Sequence, residues 1–263
     1  MTSAQGKTAI VTGAAGGLGK AIADAFLAAG ANVVICDVNP QRLSAVREEW
    51  GQTTYAGKFL ALQTDVTDEA AVQKLVGDAV SKFGRVDVLI NNAGVMDDFS
   101  PVGACAKDLW DKVLAVNLTG PYLACKAAVA QMERQEPAGG SIVNIGSNAS
   151  WNGFQAGAAY TVSKAGVVAL TKNMAGFYGP KGIYSSALML GAMATTNIAD
   201  AMQKGINMEM YQAIQESQPK FVMEKHDLNI ANVAKYVLFL TDKDIAASSN
   251  GSCIVFNKNW PAA

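Results

Sequence analysis

The chain has 263 residues, half of them hydrophobic, and its 21 Lys+Arg against 22 Asp+Glu leave a net charge of −1; that is enough chain for one large buried core, expected as a single domain over 1–263. Near-neutral charge without a polybasic run argues against nucleic acid or an anionic membrane as partner and leaves small molecules. Cys36, Cys105, Cys125 and Cys253 lack a Cys-x-x-Cys spacing and His226 is the sole histidine, read as an ordinary loop or surface residue, so a zinc site, a disulfide framework and a Ser-His-Asp or Cys-His hydrolase are poorly supported.

Thr8 to Val11 reads as a short buried strand, followed by glycines and a helix with apolar spacing from Leu18 to Ala29, closed by Gly30; Asn32 to Cys36 is a second apolar strand. The alternation continues with a helix near Gln41 to Trp50, a strand near Phe59 to Leu62, a helix from about Glu69 to Phe83 after Asp68, and a strand from Val86 to Ile90. A long helix near Lys107 to Met132 carries Asn117 inside it. Ser141 to Ile145 is a fifth strand, and the helix that follows, Gln155 to Phe177, bears Tyr160 and Lys164 and ends by Pro180-Lys181-Gly182. A weaker strand near Ile183 to Leu188, a polar, Met-rich stretch to about Lys225, a helix near Ile230 to Leu240 and a last strand from Ser252 to Phe256 complete the order. Seven strands taking turns with helices imply an α/β fold of three layers, a doubly wound parallel sheet covered on both faces. The stretch from about 191 to 225 follows a strand's C-terminal end, where open α/β sheets place their ligands, and is read as a substrate lid. The N-terminus lacks the apolar stretch of a signal peptide and no apolar run reaches the roughly 18 residues of a membrane span, so a cytoplasmic protein is expected.

Thr12-Gly13-Ala14-Ala15-Gly16-Gly17-Leu18-Gly19 joins the first strand to the first helix. Its glycines stand where a backbone must turn tightly and approach a pyrophosphate held by bare amides and a helix N-terminus. The spacing is G-x-x-x-G-x-G rather than G-x-G-x-x-G, which implies a longer turn; a tight turn without ligand is the alternative. Asp37 ends the second strand eighteen residues beyond Gly19, near the spacing at which a carboxylate accepts from the adenosine ribose hydroxyls and repels a 2′-phosphate. With no lysine or arginine in the turn or directly after Asp37, NAD(H) is favoured over NADP(H), and Arg42 is expected to be helical and solvated. The alternative for Asp37 is a cap on the helix after Pro40.

Tyr160 and Lys164 lie four residues apart, which on a helix puts both side chains on one face about 6 Å apart along the axis. An ammonium beside a phenol pulls its pKa down from about 10, toward the working range of a general acid/base. Taken alone, the pair also fits a surface tyrosine near a solvated lysine. Ser147 lies thirteen residues before the tyrosine, at the end of an apolar run.

The turn Thr12 to Gly19, Asp65-Val66, Asn91-Asn92-Ala93-Gly94, Asn117, Ser147, and Tyr160 with Lys164 occur in an order and spacing that resemble the single-domain short-chain dehydrogenases/reductases, from about Lys7 to Trp260. The resemblance implies a Rossmann fold in which Gly13, Gly17, Leu18 and Gly19 cradle NAD, with Asp37 at the ribose. It implies further that Asp65 and Val66 touch the adenine, that Asn92 lies beside the cofactor, and that Met193 and Thr195 meet the nicotinamide end, Thr195 at the carboxamide. Tyr160 is then the acid/base for hydride exchange between an alcohol and a ketone, Lys164 lowers its pKa and holds the nicotinamide ribose, and Ser147 hydrogen-bonds the substrate oxygen. Asn117 is implied to order a water linking Lys164 to solvent. Plainer readings stand beside these: Asp65 as a cap for the helix after Thr67, Asn91 to Gly94 as a structural turn, and Asn117 as a buried amide pinning a helix bend.

Two departures from the family pattern carry expectations. Leu190-Gly191 replaces Pro-Gly after the sixth strand, so the loop there is expected to be looser. Val255-Phe256-Asn257-Lys258-Asn259-Trp260 replaces Val-Asp-Gly-Gly at a segment that shapes a subunit contact in relatives; a homotetramer built on the two long helices is still expected. Met189, Met193, Met202, Met208, Met210 and Met223 crowd the lid and suit an adaptable apolar pocket, or else helix core. Phe99, Trp151 and Phe154 add aromatic walls or cover the sheet end. The expected activity is NAD(H)-dependent interconversion of a rather apolar secondary alcohol and its ketone. A 3-oxoacyl reductase and a non-catalytic dinucleotide-sensing protein are the alternatives; Asp37 and the acidic balance speak against the first, which needs NADP(H) and a basic docking patch.

Overall fold

Runs of Val, Ile, Ala and Leu too short for helices form strands in the computed structural model, which describes residues 3–194 and 205–260. They are β1 (Thr8–Thr12), β2 (Asn32–Asp37), β3 (Phe59–Gln63), β4 (Val88–Asn91), β5 (Gly140–Ser147), β6 (Ile183–Leu190) and β7 (Cys253–Phe256). All pair in parallel, in the order β3-β2-β1-β4-β5-β6-β7. Successive residues of a strand point to opposite faces, so each run feeds two cores. Ala9 and Val11 of β1 join Ile22 and Phe26 of α1 (Gly17–Ala28), Trp50 of α2 (Pro40–Gly51) and Val237 of the helix Ile230–Leu240. Ile10, between them, joins Leu75 of α3 (Glu69–Phe83) and residues of the helix Gly120–Met132 on the other face. Burying such side chains stabilises by roughly 1.5–3 kcal/mol each.

Helix starts follow from local chemistry. Asn39 caps α2 by accepting from the Arg42 amide at 3.0 Å, and Asp68 caps α3 by accepting from Ala70 and Ala71; each such cap is worth about 1 kcal/mol. Neither Asp37 nor Asp65 is therefore the cap that each was alternatively read as. Gly84, at φ +84°, closes α3.

The helix expected over Lys107 to Met132 is three pieces: α4 (Lys107–Leu114), a π-helical turn (Ala115–Thr119) and α5 (Gly120–Met132). Asn117 in that turn is buried; its Oδ1 accepts from the Val95 amide at 2.8 Å and its Nδ2 donates to the Val95 carbonyl at 2.9 Å. The wide turn lets this side chain reach a neighbouring loop, as π turns at functional sites do. The 26-residue stretch is also long and apolar enough to cross a membrane, contrary to the run-length expectation, and half of its most apolar window is buried inside the fold.

Among the described residues the remaining α-helices are α6 (Ala158–Tyr178), α7 (Met208–Glu216), α8 (Met223–His226), α9 (Ile230–Leu240) and α10 (Lys243–Ser248). α7, α8 and α10 were not expected: the first two fall in the stretch read only as polar and Met-rich, and in the last, six residues with Ala246 alone buried leave no apolar periodicity to read. β4 starts two residues later than read, and β5 and β6 run two residues further, which carries Ser147 and Leu190 to strand ends. The strand order reverses between β1 and β4, and the C-terminal ends of the strands there open on a cavity, as in other open α/β sheets.

Candidate active site

The cavity, of about 1060 Å³, runs from the β1–α1 turn to Tyr211, Phe221 and Trp260. At one end the turn is built for close approach. Gly13 has φ +62°, and a Cβ there would stand 2.7 Å from the Ala93 Cα; a Cβ on Gly19 would collide with the Gly13 carbonyl oxygen. No side chain caps the N-terminus of α1, so its first amides are left for an anion. Asn92 donates to the Thr12 and Gly13 carbonyls at 2.9 and 3.0 Å and thereby holds the turn against β4; it also lines the cavity.

Asp37 lines the same end and ties the surrounding loops: Oδ2 accepts from the Ala15 amide at 3.2 Å and Oδ1 from Asn39 at 3.0 Å. Four lone pairs per carboxylate leave acceptor capacity for hydroxyls. Arg42, expected in solvent, is half-buried and lines the cavity too, because the first turn of α2 packs over the end of β2. Asp65 bonds Thr67 through its amide and hydroxyl, at 2.9 and 2.7 Å, and Val66 packs on the first residue of α5, where a Cβ on Gly120 would lie 2.9 Å from Val66 Cγ2. The uncapped helix, the bare turn and a carboxylate beyond it fit a nicotinamide dinucleotide, whose diphosphate and ribose need these donors and acceptors.

Midway, Tyr160 and Lys164 of α6 and Ser147 of β5 meet on the cavity wall. Ser147 lies close enough to the phenol to draw its pKa down. Ser147 is itself held by a capping box, its Oγ accepting from Ala149 at 3.2 Å and its amide donating to Ser150 Oγ at 3.1 Å. Lys164, 4% exposed, donates to the Ile145 carbonyl at 2.9 Å, and its Nζ stands 5.6 Å from the Tyr160 ring centroid. The expected depression of the phenol is not found. Burial pushes Tyr160 up to about 12, Ser147 draws it back, and Asp97 adds to the rise. The ammonium's hydrogen bond goes to the Ile145 carbonyl, and burial pulls Lys164 itself down to about 8. Helical spacing brings the pair together, but desolvation outweighs the attraction that spacing suggests. Asn117 stands behind them, its Nδ2 also 3.2 Å from Ser163 Oγ, in the pinning role given as its alternative.

Beyond Tyr160 the wall is apolar and aromatic, with Phe99, Tyr211, Phe221, Met223 and Trp260, and polar at Gln155, Gln215 and Gln218. Of the methionines expected there, Met193 and Met223 line the cavity, Met189 is buried in β6 and Met208 is exposed; Met202, like Thr195, lies outside the described residues. Phe99 takes the wall position, whereas Trp151 and Phe154 are exposed. The described start of the loop after β6, residues 191–194, is tied down. Gly191 donates to the Phe256 carbonyl, Leu228 to that of Ala192, and Leu190 is buried.

Residues that sequence reasoning passed over complete the wall. The segment after β7 crosses the cavity mouth: Asn257 donates to Asn148 Oδ1 at 3.2 Å, the Trp260 carbonyl accepts from Asn148 at 2.8 Å, and the Trp260 indole donates to Gln218 at 3.1 Å. His226, read as an ordinary surface residue, has its ring 5.5 Å from Phe221 and 5.0 Å from Trp260. Asp97, buried beneath Tyr160, was also missed; the acidic pair after Asn-Asn-Ala-Gly, on a loop at a strand's C-terminal end, was its only trace.

A profile of the short chain dehydrogenase family matches residues 7–207. The chain is 45% identical to the short chain dehydrogenase/reductase dpchG of Colletotrichum higginsianum over 98% of its own length and 95% of that protein. It is 38% identical to 3beta-hydroxysteroid dehydrogenase 2 of Eggerthella lenta, over 76% of this chain and 75% of that one. Its fold superposes on the 3-ketoacyl-(acyl-carrier-protein) reductase of Brucella melitensis, crystallised with NADH, with a TM-score of 0.82 at 27% identity, covering 97% of this chain and 98% of the other.

Proposed function

We propose, for a chain that belongs to the short-chain dehydrogenase/reductase family and is thus an oxidoreductase, that it interconverts a rather apolar secondary alcohol and its ketone with NAD(H). The observation that carries this reading is the buried Tyr160 side chain, beside Ser147 and one helical turn from Lys164, on the wall where the glycine-lined end of the cavity meets the aromatic end.

When bound, the dinucleotide supplies the hydride acceptor or donor, and its oxidised ring carries a positive charge. Gly13, Gly17, Leu18 and Gly19 would hold its diphosphate on backbone amides, Asp65 and Val66 would flank the adenine, and Met193 would meet the nicotinamide end. Tyr160 takes the proton of the substrate hydroxyl in oxidation and returns it in reduction. Ser147, fixed by its capping box, hydrogen-bonds the same oxygen and sets its distance from the phenol. Lys164 brings an ammonium to the Tyr160 ring, which favours the phenolate that forms as the proton leaves, although burial keeps the resting phenol neutral. Asn117, by holding both polar groups of the Val95 backbone, keeps the loop over this trio in place.

Asp37 supports NAD(H) over NADP(H), since a carboxylate repels a 2′-phosphate, and Arg42 beside it tempers that repulsion. The aromatic wall supports an apolar substrate, and the named substrate class of the steroid dehydrogenase relative agrees with it. Tyr122, Val162 and Phe177, exposed on α5 and α6, support assembly as a homotetramer. An absorbance screen with NAD and NADP against secondary alcohols, steroids, polyols and hydroxy acids tests the proposal. Turnover with NAD and ring-bearing apolar alcohols is expected; silence with both cofactors despite tight NAD binding would replace it with the dinucleotide-sensing reading.

A further inference from the structure

The loop after β4 carries a carboxylate, that of Asp97, which has no part in the chemistry above and is 3% exposed. Its Oδ2 accepts from the Tyr160 amide at 2.8 Å, and its Oδ1 accepts from the amides of Gly157 and Phe99, both at 3.1 Å. α6 receives no cap from its own N-cap residue, Gly157. A residue sixty positions away supplies one instead, placing a carboxylate at the positive end of the helix. Gly157 is fitted to this contact, since a Cβ there would stand 2.6 Å from Asp97 Oδ2.

The same loop is held at its other residues. Phe99 has φ +66°, costly for a bulky side chain, and is kept there by Asp97 and by edge-on packing against Tyr211 of α7 at 5.1 Å. The Ser100 carbonyl accepts from the Ala158 amide at 2.9 Å, and the Asp98 carbonyl from the Asn207 amide, just before α7, at 2.8 Å. One short loop thus grips the first turn of α6 and the start of the lid helix.

We propose that Asp97 is a positioning residue for the acid/base: by holding the Gly157 and Tyr160 amides it fixes the first turn of α6 and so the place of the Tyr160 oxygen relative to Ser147. The inference rests on the acid/base role proposed for Tyr160. Asp97 also faces Tyr160 as a charge and raises its phenol, while Asp98 and Cys105 face Asp97 from its own segment and Lys164 faces the phenol ring from α6. Burial pushes the Asp97 carboxyl above its ordinary value, and the three amides draw it back.

The test is Asp97→Asn, which keeps the shape but offers one acceptor oxygen where there were two, followed by hydrogen exchange over 157–160 and by steady-state kinetics. Exchange at the Tyr160 amide should speed up, and kcat should fall roughly 10- to 100-fold for a small displacement of the reacting group, with the dinucleotide Kd within about twofold. The ascending limb of the pH profile for alcohol oxidation should move to lower pH, because the phenol loses a negative neighbour. Gly157→Ala, which pushes the carboxylate away, should give the same signature should Asp97→Asn not fold; combining the two should add little. Unchanged exchange, or a folded variant with an unaltered kcat and pH profile, overturns the inference. A wild-type protein without turnover counts against the proposed function instead, and the exchange measurement then decides the role of Asp97 on its own.

Discussion

Replacing Lys164 by methionine should stabilise the protein at neutral pH while abolishing its turnover. The ammonium is 4% exposed, and burial lowers its pKa from 10.5 to about 8. That difference corresponds to about 3 kcal/mol of folding free energy lost to holding a charge out of water. Methionine removes this cost but also the bond to the Ile145 carbonyl, worth about 1–2 kcal/mol once the acceptor is left short of a partner. A net gain of about 1–2 kcal/mol near pH 7 is expected. The sign with pH is fixed by which state holds the proton. Between pH 8 and 10.5 the unfolded chain keeps the Lys164 proton and the folded chain releases it, so wild-type stability rises with pH in that window. Tyr160 acts oppositely at higher pH: its phenol titrates near 12 when folded and near 10 when unfolded, so stability falls between those values. Urea unfolding of both proteins from about pH 7 to pH 10 therefore tests the argument, the advantage of Lys164→Met shrinking as pH rises. A variant less stable than wild type by the same amount at every pH would refute the claim that desolvation dominates at this lysine.

Asp37→Asn should raise the NADP-to-NAD preference, in kcat/KM, roughly tenfold, the size of one lost charge-assisted hydrogen bond and one relieved repulsion; an unchanged ratio would remove Asp37 from cofactor choice. Trp260→Ala should raise KM for a ring-bearing apolar alcohol about fivefold, near 1 kcal/mol of aromatic packing, and leave a short open-chain alcohol unaffected; equal effects on both would deny the C-terminal segment a part in the substrate wall. Phe177→Asp should lower the molar mass measured by light scattering, because a charge cannot be buried at an apolar contact without cost; an unaltered mass would show that this face of α6 does not hold subunits together.

The βαβ alternation, the glycine turn and the start of the helix after Asp68 were legible because each rests on neighbours in sequence: apolar period, bare amides, and a short acid just before a helix's first donors. Asn117 was legible as a buried polar residue but not as the centre of a π turn, since one extra residue in a turn does not disturb the apolar pattern around it. The Tyr160–Lys164 spacing put the pair on one face, yet the direction of the phenol's shift depends on how much protein covers it, which spacing does not encode. Asp97 and Trp260 escaped for a related reason. Their partners, Gly157 with Tyr160 and Asn148 with Gln218, are brought to them by the sheet across long stretches of chain. The first residues after Leu190 show the reverse case: the loss of a proline predicted freedom, but at Gly191 and Ala192 hydrogen bonds to distant segments supply restraint.

The central claim is that the Tyr160 hydroxyl moves the proton while other groups hold the dinucleotide. Tyr160→Phe removes that oxygen alone, so the direct measurement is NAD affinity, by calorimetry, alongside the rate of reduced-nicotinamide formation from a secondary alcohol that the wild type oxidises. The account predicts affinity within about twofold of wild type and a rate lower by roughly 100-fold or more. A Tyr160→Phe protein oxidising the alcohol at a near-normal rate would contradict it.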